Sequence, residues 1–70
     1  MSHKWIDTLD TYQIEPGDLI KNHEGEIIQV FKVNHFDTYS EVIYLDDFFD
    51  EEISFTIGDD ARTELFMFDE

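Results

Sequence analysis

Five carboxylates and two phenylalanines fall within seven consecutive residues, Asp46, Asp47, Phe48, Phe49, Asp50, Glu51 and Glu52. A hard cation such as Ca²⁺ takes about six to eight oxygen ligands, and this run holds several. It lacks the glycine at a sharp turn and the alternating oxygen positions of a calcium loop, so it reads first as a solvated acidic rim. Phe48 and Phe49 either tuck into a core or stand exposed. Two adjacent aromatics in an acidic frame have the chemistry of an anchor at a protein interface. With Asp59, Asp60 and Glu64 further along the chain, these residues form the candidate partner-binding set.

Other chemistry is thinly represented. Carboxylates can pair as general acid and base, but 18 acids in 70 residues make such pairs inevitable, and none stands out. His3, His23 and His35 have no i, i+4 spacing that would hold a metal. Ser2, Ser40 and Ser54 sit in no nucleophile elbow, and there is no glycine-rich phosphate loop. The sequence therefore points away from an enzyme, with no catalytic residues, no cofactor and no metal site expected.

Charge is the dominant property. Eighteen acids against four bases give a formal net charge of −14 and a pI near 4.1. Such a chain repels phosphate backbones and anionic lipid heads, which disfavours direct binding of nucleic acid or a membrane surface. Residues 1–45 carry eight acids and three lysines, net −5, while residues 46–70 carry ten acids and Arg62 alone, net −9. No lysine or arginine lies between Lys32 and Arg62. Cysteine is absent, and no apolar run suits a signal peptide or membrane span, so a cytoplasmic address is the expectation.

The elements that must position these groups read as short strands. Hydrophobic content of 41% with 11 aromatics argues for a folded chain despite the charge. Strands are expected over Asp18–Asn22, Glu26–His35, Tyr39–Leu45, Glu52–Ile57 and Arg62–Phe68. Pro16-Gly17 suits a type II turn, since proline presets φ and glycine supplies φ > 0. The run from Glu26 to His35 is apolar on both parities, which calls for a bulge or strong bend partway along. Ile53, Phe55 and Ile57 alternate cleanly with Ser54 and Thr56. The expected core includes Ile28, Val30, Ile43, Ile53, Phe55, Ile57 and Leu65. The fold class is all-β: a five-stranded antiparallel small barrel or curved sheet over residues 13–70, preceded by an arm or short helix over residues 1–12.

Pro16-Gly17-Asp18-Leu19-Ile20 followed by Gly25-Glu26-Ile27-Ile28-Gln29-Val30 resembles the opening hairpin of KOW-type and related SH3-like small barrels. The resemblance spans about 20 residues and rests on turn chemistry. It implies an SH3-like barrel that binds RNA, protein or peptide, and the nucleic-acid binders of that group use basic loops that are absent here. The acidic surface is similar to that of small acidic proteins, many of them phage-encoded, that occupy the nucleic-acid sites of host enzymes. Rows of carboxylates at alternate strand positions, about 6.6 to 7 Å apart, would present such a field to a basic groove. Two function classes follow: a mimic or inhibitor that binds a basic protein surface, and a structural or adaptor module, such as a virion or assembly component, docking through aromatic patches and strand edges.

Overall fold

The computed structural model describes residues 2–46, 48 and 50–69. Among the described residues seven strands are present: β1 Ser2–Asp10, β2 Leu19–Lys21, β3 Ile27–Gln29, β4 Lys32–His35, β5 Tyr39–Leu45, β6 Glu52–Gly58 and β7 Arg62–Asp69. A 3-10 turn, Thr11–Gln13, follows β1. The strands form two antiparallel sheets, one in the order β1-β7-β2-β3 and the other β4-β5-β6. The all-β class expected from the sequence is present, but the five-stranded count is not, and the sheets do not close into a barrel.

The two additional strands have separate causes. Residues 2–10, expected as an arm or helix, pair along almost the whole of β7. Partial helical spacing of Trp5, Ile6, Leu9 and Tyr12 concealed this, because the register shifts between Trp5 and Asp7. A bulge there inserts one residue, so Trp5 and Leu9, of one parity, face opposite sides of the sheet. Trp5 lies opposite Phe66, whereas Leu9 lies opposite Thr63 and packs against the core. The second addition arises where the run from Glu26 to His35 breaks at Val30 and Phe31, handing the chain from one sheet to the other. That break is the bend which apolar residues on both parities required.

Turn chemistry places the short hairpin. Asp18 N–H donates to the Glu15 carbonyl at 3.2 Å and Gly17 has φ +95°, the geometry of a type II turn. The Asn22 carboxamide oxygen accepts from the amides of Glu24 and Glu26, at 3.0 and 2.9 Å, and holds the β2–β3 turn.

Ile14, Ile20, Val30, Val42 and Ile57 form the buried core, with Leu9, Ile28, Val33, Phe55, Ala61 and Leu65 packed around it. On β5 and β6 the inward pairs are Ser40 with Ile57, Val42 with Phe55 and Tyr44 with Ile53. Ile43, expected in the core, lies opposite Ser54 on the other face, and Val42 takes its place. Ile53 is half-buried beside the core rather than within it. Burial of each core aliphatic contributes about 1.5 to 3 kcal/mol, which in so short a chain leaves little reserve.

Candidate functional site

The residues singled out by chemistry fall into separate places. Asp46 to Glu51 connect β5 to β6, and Asp59 and Asp60 turn the chain from β6 into β7. These two turns sit at opposite ends of the seven-residue β6, on the order of 20 Å apart at about 3.3 Å per residue. Glu64 lies on β7 opposite Thr8, in the other sheet. The candidate set is therefore two acidic ends and an outlier rather than one continuous face. Rows of carboxylates on strands do not form either. The strand acids are Asp7, Asp10, Glu41, Glu52, Glu64 and Asp69, no two at alternate positions of one strand, because the acids concentrate in turns.

The loop between β5 and β6 has a defined internal architecture. The Asp46 carboxylate accepts from the Phe48 amide at 2.7 Å, and the Asp46 carbonyl accepts from the Asp50 amide at 2.9 Å. The Asp46 amide donates to the Glu51 carbonyl at 2.9 Å. Asp50 adopts φ +51°, a left-handed conformation that aspartate tolerates better than most side chains. These bonds fix a tight turn whose apex carries Phe48, 92% exposed. Phe48 thus stands in water rather than in the core. Asp47 and Phe49 lie outside the described residues.

Beside this loop a groove of about 670 Å³ runs between β3 and the end of β5. Ile27, Gln29 and Phe31 line it from the β3 side, Leu45 and Phe48 from the β5 side, and His3 and Phe68 add to the lining from β1 and β7. Glu26 and Asp46 stand among its lining residues, and no lysine or arginine does. A second groove of about 770 Å³, over β1, β7 and Leu19, is lined partly by Lys4.

Two of the four bases lie over aromatic rings. Lys21 Nζ lies 5.4 Å from the Phe66 ring centroid and Lys32 Nζ lies 5.3 Å from that of Phe31. Among the described residues the one ion pair joins Arg62 Nε to Asp10 Oδ1 at 3.7 Å, and both side chains are substantially exposed. A pair of that kind contributes no more than about 1 kcal/mol. Among the described residues the carboxylates of Asp46, Asp50, Glu51 and Glu52 have no cation partner of this kind.

Two arrangements were not legible in the sequence. His35 and Ser40 are register partners across the β4–β5 hairpin, which brings His35 Nδ1 to 2.6 Å from Ser40 Oγ. His35 Nε2 sits 3.1 Å from the Ile14 carbonyl, which can only accept, so Nε2–H donates there, leaving Nδ1 to face the serine hydroxyl. This looks like a nucleophile and its base, yet Ser40 is 1% exposed and no substrate carbon reaches it. The trio joins β4, β5 and the segment before β2. His23 likewise faces a structural partner, its Nε2 lying 2.8 Å from the Thr56 carbonyl and its ring 5.1 Å from Phe55. Among the described residues no three potential ligands from histidine, aspartate and glutamate converge on a metal position, and no helix is long and apolar enough to cross a membrane.

Comparison with known proteins finds no matching family model, no matching curated relative and no matching solved structure.

Proposed function

We propose that the protein is a non-enzymatic acidic binding protein that docks on a basic protein surface, of the kind that holds nucleic acid, and so acts as a mimic or inhibitor. The observation that carries this reading is the exposed Phe48 in the loop between β5 and β6, standing among Asp46, Asp50 and Glu51, whose carboxylates have no ion pair among the described residues. Uncompensated charge steers encounter with an oppositely charged surface, and a desolvated aromatic then supplies short-range affinity. The KOW-type resemblance enters this proposal through the β2–β3 hairpin alone. RNA binding is set aside because its basic loops are missing.

A second reading rests on a different observation. β1 is the outer strand of its sheet, and Trp5 within it is 55% exposed. This edge and its aromatics suit a structural or adaptor module that pairs strand to strand.

The test uses a charge-reduced variant, Asp46→Asn, Asp50→Asn, Glu51→Gln and Glu52→Gln, which keeps side-chain shape and the Asp46 acceptor oxygen. Proteins retained from a lysate by the immobilised wild type are identified, purified and measured singly against both forms. The proposal expects a basic partner whose association slows sharply in the variant and in added salt, with a smaller change in dissociation. A partner bound with unchanged affinity and unchanged salt dependence would overturn it in favour of the adaptor module.

A further inference from the structure

β3 is an edge strand whose free side faces the groove beside Phe48. Its even-numbered residues are committed to β2. The Asn22 amide donates to the Glu26 carbonyl, the Val30 amide to the Asp18 carbonyl and the Gly17 amide to the Val30 carbonyl, each at 2.8 Å. Ile28 lies between them, opposite Ile20. Antiparallel alternation then turns the N–H and C=O groups of Ile27 and Gln29 the other way, where no further strand of that sheet lies. The ladder resumes at Phe31, whose amide donates to the Ile43 carbonyl at 2.8 Å. From that point β3 and the end of β5 diverge, and the groove is the wedge between them. Its walls mix apolar Ile27, Phe31, Leu45 and Phe48 with polar His3 and Gln29, its lining acids are Glu26 and Asp46, and the acidic loop continues from one lip.

We infer that this wedge seats an extended cationic segment of a partner protein, which adds a strand along β3 from Ile27 to Gln29. Alternate side chains of a strand point to opposite faces, so apolar residues of the segment enter the groove against Phe31, Leu45 and Phe48. Its lysines or arginines then reach the carboxylates at the rim. Charge decides between occupants: a second copy would bring another −14 to a groove whose lining acids are Glu26 and Asp46 and whose nearby base, Lys32, lies over the Phe31 ring, whereas a basic segment neutralises those acids. The inference rests on the proposed binding of a basic surface and names the chemistry by which that surface is held.

The probes are two short synthetic peptides, one alternating lysine with isoleucine and one alternating lysine with serine, titrated into the full chain by fluorescence anisotropy. Equal charge on the two isolates the apolar contribution. The inference expects the lysine–isoleucine peptide to bind at least about tenfold more tightly, the scale of one interface anchor. Leu45→Ser and Phe48→Ser, both at exposed positions, should each remove most of that difference without unfolding the chain. Equal affinity for the two peptides, or a difference that survives both substitutions, would overturn the wedge while leaving the basic-surface reading in place. If neither peptide bound at low salt, both readings would fall. A dimer in sedimentation of the free protein that Leu45→Ser and Phe48→Ser dissociate would give the wedge to a second copy and overturn the inference.

Discussion

The two ends of β6 are built from similar residues and do different things. At the β6–β7 end, the Thr11 hydroxyl donates to the Gly58 carbonyl at 2.8 Å and approaches the Ala61 carbonyl at 3.3 Å, and Thr11 is itself fully buried. The Asp59 amide donates to the Thr38 carbonyl at 3.0 Å, tying this turn to the β4–β5 turn. Residues more than 40 positions apart therefore meet at one point. At the β5–β6 end, the hydrogen bonds of the loop among the described residues run within the loop. That end projects an aromatic into water instead of burying one. Acid content does not distinguish the cross-linked turn from the self-contained loop proposed to bind; what distinguishes them is where the backbone bonds go.

Four predictions break or sharpen this contrast. The largest effect is expected from Thr11→Val, which removes the donor that crosses between elements from a fully buried position and takes its bond from the Ala61 carbonyl, while the Gly58 carbonyl keeps the Ala61 amide. It should cost about 1 to 3 kcal/mol in chemical denaturation while leaving peptide affinity of the folded protein unchanged. The reverse pattern is expected of Phe48→Ser: about tenfold or more loss of affinity for the lysine–isoleucine peptide, with stability within about 0.5 kcal/mol of wild type. Asp46→Ala, by contrast with Asp46→Asn, loses the acceptor for the Phe48 amide and loosens the apex. It should reduce stability by about 0.5 to 1.5 kcal/mol and weaken peptide binding, whereas the asparagine variant keeps the turn. The smallest effect is a gradual rise in melting temperature on adding a weakly interacting salt, because screening relieves self-repulsion in a chain of net charge −14. A melting temperature that falls with such salt would mean that attractive pairs outweigh that repulsion.

Much of the strand pattern was legible because it rests on local rules. Tyr39–Leu45 coincides with β5, and β6 extends the expected strand by Gly58. The Pro16-Gly17 turn follows from backbone preference alone. What escaped was non-local. The strand character of residues 2–10 depends on β7, almost 60 residues away, and on a bulge that scrambles its parity. Val42 and Ile43 are adjacent, both β-branched and apolar, so only the register with β6 decides which is core. The acidic loop was visible as a cluster, but its separation from Asp59 and Asp60 required the length and direction of β6. The groove along β3 was invisible, since an unpaired edge is a property of the sheet order.

The contrast between the ends is tested most directly by a nuclear magnetic resonance titration of the isotopically labelled chain with the lysine–isoleucine peptide, which reads both ends of β6 in one sample. The account predicts amide shifts at Ile27, Gln29, Leu45 and Phe48, with Asp59, Asp60 and Ala61 unmoved. Shifts of equal size at both ends, or shifts confined to the turn at Asp59 and Asp60, would contradict it and reduce the acidic loop to a solubilising rim.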